Sequence, residues 1–176
     1  MKKTTIGIIG CGNIGSSIVS FMAERFPEAV PGMVLYDTDE QRAMCLARSI
    51  KGSYTACSME ELIERCDVVV EAAAPEAARE VLRSATEKGK DAIIISAGGL
   101  LGYEDLLESA RKAGIKVMLP SGAIAGIDGI KAAAIAGLDR VTITTRKPPG
   151  SLEGAPYIKE KGISLERLRE ETVIFE

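Results

Sequence analysis

Ile6-Gly7-Ile8-Ile9-Gly10-Cys11-Gly12-Asn13-Ile14-Gly15 decides the reading of this chain. An apolar run passes directly into three glycines spaced G-x-G-x-x-G, and a helical pattern follows at once in Ile14, Ile18, Phe21 and Met22. The run has the character of a parallel strand buried on both faces. Gly10 then permits a tight reversal, Gly12 lets the backbone approach a pyrophosphate, and Gly15 lets the next helix sit close to the strand. The phosphates would rest on N–H groups at the helix N-terminus. Any glycine-rich strand-to-helix turn satisfies this spacing, so the context must carry the reading.

A second apolar run, Met33-Val34-Leu35-Tyr36, ends in Asp37, at about the 20-residue distance that a dinucleotide fingerprint demands. A carboxylate there accepts both ribose hydroxyls of NAD but faces the 2′-phosphate of NADP. At roughly 4 Å and an effective dielectric near 20, each like-charge unit costs on the order of 4 kcal/mol, more than a hydrogen bond returns. NAD is the expected cofactor, and Arg42, a few residues on, leaves NADP open. The competing reading makes Asp37 an ordinary turn or capping residue before a helix over 39–50.

The 176 residues suffice for one full core, and a net charge of −3 with interspersed signs and few aromatics argues against a nucleic-acid partner. The chain has no histidine, and its four cysteines (Cys11, Cys45, Cys57, Cys66) show no C-x-x-C spacing, so no metal site is expected. Scattered thiols suit a reducing compartment. Lys2 and Lys3 lead into a strand rather than a leader, and the longest apolar tract, 117–127, is broken by Pro120, Ser121, Gly122 and Gly126. These features predict a soluble cytoplasmic protein without a membrane partner. Cys11 has two open readings: a thiol whose pKa falls at a helix N-terminus, or a small hydrophobe filling the variable position of the loop.

Strands and helices alternate further along, the pattern of a parallel sheet covered on both faces. Strands are expected near 53–57, 68–71, 92–95 and 115–119. Helices are expected over 39–50, from the Ser58/Glu61 capping-box spacing to about 65, from Pro75 onward, and over 103–113. Ala72, Ala73 and Ala74 follow one strand and Ser96-Ala97-Gly98-Gly99 another. Small residues at the carboxyl ends of strands admit a ligand ring; close helix packing explains the alanines equally well. The result is an α/β, Rossmann-type, doubly wound parallel sheet over 1–120, built on right-handed crossovers. Residues 121–176 are expected to begin a second, α+β domain. It would hold an alanine-rich helix to about 136, a strand over 140–147 (Val141 and Ile143 against Thr142 and Thr144), a polar loop over 148–162, a short charged helix over 164–171 and a strand-like end over 172–176.

Pro-Ser-Gly-Ala-Ile-Ala-Gly-Ile-Asp-Gly at 120–129, Thr-Ile-Thr-Thr-Arg-Lys-Pro-Pro at 142–149 and Ser-Ala-Gly-Gly at 96–99 resemble L-aspartate dehydrogenase. The resemblance runs from the first glycine loop to the last residue. It implies NAD(P)-dependent oxidation of L-aspartate to iminoaspartate, which feeds NAD biosynthesis or hydrolyses to oxaloacetate and ammonia. It also implies a dicarboxylic amino-acid substrate, a second domain carrying much of the substrate site, and a homodimer. Matching residues place Gly10, Gly12, Ile14 and Asp37 on the dinucleotide, together with Ala123 in the Ser-Gly-Ala turn. With Cys11, Asn13, Ala72, Ala73, Ser96 and Ala97 these make up the expected cofactor contacts.

In that family a cofactor-binding asparagine and the catalytic histidine follow the Val-Ile-Phe-Glu element, where this sequence stops. The resemblance therefore implies a truncated chain and assigns no catalytic residue. Lys131, Lys147 or Asp128 would serve only with strongly shifted pKa values, and a solvated or ion-paired role competes for each. Ser121 and Arg146 are the candidate holders of a substrate carboxylate. Two rivals stand beside truncation, a stand-alone NAD-binding module and half of a split oxidoreductase. The module predicts Val141, Ile143 and 173–175 buried on the core; the other two predict them exposed.

Overall fold

The computed structural model describes residues 3–56, 58–121, 127–165, 168 and 170–174. It divides into two compact units, Met1–Ala125 and Gly126–Glu176. The first unit alternates β1 (Ile6–Ile9), α1 (Asn13–Arg25), β2 (Met33–Tyr36), α2 (Glu40–Ser49), β3 (Ser53–Thr55), α3 (Met59–Arg65), β4 (Val68–Glu71), α4 (Pro75–Glu87), β5 (Asp91–Ile94), α5 (Glu104–Lys112) and β6 (Val117–Met118). All adjacent strands pair in parallel, in the order β3-β2-β1-β4-β5-β6. This is the doubly wound Rossmann order, with its switch point between β1 and β4.

The apolar runs become strands because both faces of the sheet are covered. Ile9, Val34, Val69 and Ala92 pack on one face against Leu62 and Ile63 of α3 and Val81 and Leu82 of α4. Their strand neighbours Ile8, Leu35 and Val70 pack on the other face with Val19 of α1 and Ala43 of α2. Successive side chains thus serve opposite layers, and each fully buried aliphatic contributes about 1.5–3 kcal/mol. Helix starts follow local chemistry. Asp39 caps α2, its Oδ1 accepting from the N–H groups of Gln41 (3.1 Å) and Arg42 (3.3 Å). Ser58 caps α3 by accepting from Glu61 N–H at 3.2 Å, and Pro75 opens α4.

Register aligns the carboxyl ends of four strands. Ile9 pairs with Tyr36 and with Glu71, and Glu71 pairs with Ile94. The loops that start at Gly10, Asp37, Ala72 and Ile95 therefore leave one edge of the sheet side by side.

In the second unit the expected alanine-rich helix is α6 (Ile127–Ala136). The expected strand over 140–147 is absent: these residues are irregular, with Val141 48% and Ile143 61% exposed. Alternation specifies a strand only where a neighbouring edge accepts its ladder, and no strand occurs in this unit among the described residues. The expected loop over 148–162 contains a 3-10 turn (Pro149–Leu152) and α7 (Pro156–Glu160), anchored by buried Ile158. The helix expected over 164–171 falls partly outside the described residues, and what is described there is a turn in which Leu168 N–H donates to Leu165 C=O at 3.3 Å. Residues 172–174 form no strand and Val173 is 72% exposed, while Phe175 and Glu176 lie outside the described residues. Among the described residues no helix is long and apolar enough to cross a membrane.

Candidate functional site

The glycine turn sits where β1 hands over to α1. Gly10 has φ +95°, a left-handed conformation that a side chain would oppose. A Cβ on Gly15 would stand 1.9 Å from the Gly10 carbonyl oxygen, so the first turn of α1 rests directly on the loop. Gly12 is different. It occupies the N-cap position with no side-chain cap, and a Cβ placed on it meets nothing within 4 Å. The uncapped first turn of α1 thus faces an open concavity, which a pyrophosphate approaching backbone N–H groups requires.

Asp37 closes the loop from the β2 side. Its Oδ2 accepts the Cys11 N–H at 2.7 Å and its Oδ1 accepts the Asp39 N–H at 2.9 Å. Capping of α2 belongs to Asp39 rather than Asp37. A cleft of about 420 Å³ opens beside this pair, between the ends of β1, β2 and β4. Gly10, Gly12, Asp37, Ala72 and Ala73 line it, and so do Thr38, Arg42, Ser58, Met59 and Glu60. The last three are the N-cap and first two residues of α3, which the motif reading left out; the capping residue Ser58 was the available signal.

The remaining expected contacts have other settings. Cys11 is 4% exposed and its Sγ donates to the Tyr36 carbonyl at 3.7 Å. Burial, and next the Asp37 charge, push its thiol up to about 11, the reverse of the lowered pKa that a helix N-terminus suggested. Asn13 and Ile14 are exposed on the first turn of α1, and the Asn13 carbonyl accepts the hydroxyls of Ser16 and Ser17. Ser96 and Ala97 are half-buried at the end of β5 and enter a 3-10 turn (Ala97–Leu100). Ser121 is exposed in irregular chain. Ala123 lies outside the described residues, as does the side chain of Asp128. Arg146 Nε donates to Glu171 Oε1 at 2.7 Å, so the cation expected for a substrate carboxylate is engaged by a carboxylate of the chain itself. Lys131 and Lys147 are exposed.

The cleft's charges differ in position. Arg42 sits 3.8 Å from Asp39 with both side chains more than half exposed, a pair worth little in water. Glu60 is held below the ordinary carboxylate range by its own backbone N–H and the Ser58 hydroxyl. With Asp37 it makes this end of the cleft predominantly acidic.

Comparison with known proteins agrees with this architecture. A family model described as "Homoserine dehydrogenase, NAD binding domain" matches residues 10–120, and one described as "Aspartate dehydrogenase, C-terminal" matches residues 128–176. The L-aspartate dehydrogenase of Methanosarcina mazei is 43% identical over 175 residues, covering 97% of this chain and 64% of that protein. The chain belongs to the family described as "Homoserine dehydrogenase, NAD binding domain", and the relatives matched at this similarity are L-aspartate dehydrogenases. The enzyme of the same name from Methanosarcina acetivorans is 40% identical, with 97% of this chain and 64% of that protein covered. The chain thus spans about two thirds or slightly less of these L-aspartate dehydrogenases. Among solved structures, the UDP-N-acetylglucosamine 3-dehydrogenase GnnA from Acidithiobacillus ferrooxidans matches with a TM-score of 0.60 at 19% identity, over 76% of this chain and 44% of that one. At that identity the likeness is one of fold, a Rossmann-type architecture.

Proposed function

We propose that this chain holds NAD in the cleft between β1, β2 and β4 and serves the oxidation of L-aspartate to iminoaspartate. The observation that carries the cofactor half is the Asp37–Cys11 lock beside an uncapped, open Gly12 turn. In this reading Gly10, Gly12, Asn13 and Ile14 receive the pyrophosphate, Asp37 receives the adenosine ribose, and Cys11 shapes the loop from inside. Ala72, Ala73, Ser96 and Ala97 flank the nicotinamide side, and Ala123 is added as a cofactor contact on the family likeness alone. The acidic pair Asp37 and Glu60 favours NAD over NADP, and Arg42 is the group through which NADP is tolerated.

Held at Gly10, Gly12 and Asp37, NAD would supply the hydride acceptor. L-aspartate and NAD⁺ give iminoaspartate, NADH and a proton: the hydride leaves Cα and the amine gives up the proton. The identity with L-aspartate dehydrogenases supports the substrate, a dicarboxylic amino acid for which Ser121 and Arg146 are the candidate anchors. Arg146 would then exchange Glu171 for the substrate carboxylate. Residues 1–120 are the cofactor domain, and 121–176 contribute to a substrate and dimerisation domain. The same family likeness supports a cytoplasmic homodimer. None of the 176 residues is assigned the proton-handling role, and the sequence contains no histidine.

The test is NADH fluorescence of the chain, before and after oxaloacetate and ammonium. Enhanced, blue-shifted NADH emission, stronger than with NADPH, supports the cofactor reading. Unchanged emission at millimolar chain and NADH overturns it. Light scattering on the 18.6 kDa chain tests the dimer, and a monomer at all concentrations removes that part.

A further inference from the structure

Glu71 ends an otherwise apolar strand and is 0% exposed, the one charged residue in the buried set among the described residues. Three donors converge on its carboxylate. Oε1 accepts the Ala73 N–H at 2.8 Å and the Ser96 hydroxyl at 3.0 Å, and Oε2 accepts the Ser96 N–H at 2.9 Å. The ladder continues past it, with Ala72 N–H donating to the Ile9 carbonyl at 2.8 Å and Ile95 N–H donating to the Glu71 carbonyl at 3.1 Å. One side chain therefore fixes the first residues of two loops, one after β4 and one after β5.

We infer that Glu71 is a positioning residue that holds the Ala72-Ala73 and Ser96-Ala97 loops at the spacing the nicotinamide half of the cofactor needs. The inference rests on the reading of the cleft as an NAD site and adds to it a division of labour. A dinucleotide laid across the switch point has its adenosine over β2 and its nicotinamide over β4 and β5. Asp37 organises the first half of that path, its carboxylate accepting from the Cys11 and Asp39 N–H groups. Glu71 organises the second half, while Ala73, exposed at the cleft wall, carries no side chain able to hold its own loop. A burial of this kind is costly unless the oxygens are hydrogen-bonded, and here both are, by donors from the loops themselves. A hydrophobic residue at the end of β4 would leave two backbone N–H groups unpaired. Glutamine has the right shape but the wrong chemistry: whichever way its amide is turned, its NH₂ meets either the Ala73 or the Ser96 N–H.

The experiment separates the two halves of the cofactor. NADH and ADP-ribose are titrated into the unmodified chain and into Glu71→Gln, by fluorescence and calorimetry. The expected result is NADH affinity weakened roughly tenfold, the consequence of one unmade buried hydrogen bond, with ADP-ribose within about twofold of the unmodified chain. Equal weakening of both ligands, or of neither, overturns the positioning role while the cofactor reading stands. An unmodified chain that binds neither ligand defeats the cofactor reading and this inference with it. Should Glu71→Gln fail to fold, amide hydrogen exchange on the unmodified chain decides: Ala73 and Ser96 N–H must exchange as slowly as strand amides although both lie in loops, and fast exchange overturns the inference.

Discussion

Asp37 Oδ2 accepts the backbone N–H of Cys11 at 2.7 Å. The bond ties the end of β2 to the middle of the glycine turn, so the residue proposed to recognise the ribose also sets the position of the phosphate loop. Hydrogen bonds to charged acceptors are worth about 1.5–3 kcal/mol. Asp37→Ala should therefore weaken NADH roughly ten- to hundredfold. NADPH should lose less, because the like-charge penalty against its 2′-phosphate disappears with the carboxylate. Fluorescence titration of both cofactors checks this, and equal losses for both would remove the selectivity role.

Asp39 offers the complementary result. Its carboxylate caps α2 through Gln41 and Arg42 and lies outside the cleft lining. Asp39→Ala should lower stability by about 1 kcal/mol, the usual value of an N-cap, and leave the NADH-to-NADPH preference within about twofold. Urea unfolding followed by circular dichroism measures the first part and the same titration the second. A changed preference would mean that Asp39, through Arg42, takes part in cofactor choice.

The sheet was legible because its central strands β1, β2 and β4 are short, nearly continuous apolar runs bounded by turn residues. The expected strand at 92–95 differs by a single residue from β5 (Asp91–Ile94). The nucleotide loop was legible because glycine is demanded there by geometry: φ +95° at Gly10 and the contact under Gly15. Less could be read where a residue's role depends on a distant partner. Glu71 looked like a strand's last residue, since two of its three donors arrive from Ser96, 25 residues away. Cys11 had two readings, a thiol lowered by the helix start or a small hydrophobe, and burial decides for the second. Alternation over 140–147 pointed to a strand, but pairing needs an edge that local sequence does not specify.

Two glycines of one motif should fail in different ways. Gly12→Ala adds a Cβ that meets nothing within 4 Å at an ordinary φ of −74°, so the fold should be unchanged. The methyl group would stand in the space through which a pyrophosphate approaches, and NADH affinity should drop at least tenfold, about 1.4 kcal/mol. Gly15→Ala places its Cβ 1.9 Å from the Gly10 carbonyl oxygen, a backbone atom that cannot yield without moving β1 or α1. Its cost should be on the order of 1–3 kcal/mol or more, the range of overpacking. Thermal unfolding and NADH titration of both variants separate the cases. A Gly12→Ala variant with intact affinity would mean that the phosphates do not pass over that residue.

Cys11 and Cys66 are 4% and 2% exposed, and burial pushes both thiols from 9.0 up to about 11. Folding therefore favours the protonated thiol. Below the unfolded value of 9.0 both states hold the proton and the contribution is fully present. Between about 9 and 11 the unfolded chain loses protons that the folded chain keeps, so stability falls as pH rises through that window. Unfolding by urea at successive pH values should show this loss, and Cys11→Ser with Cys66→Ala should flatten it. At neutral pH the same two thiols should resist iodoacetamide while exposed Cys45 is modified. Peptide mass spectrometry of a brief labelling reads this directly. Rapid labelling of Cys11 in the folded chain would show an accessible thiolate and contradict its placement beneath the loop, where its Sγ meets the Tyr36 carbonyl.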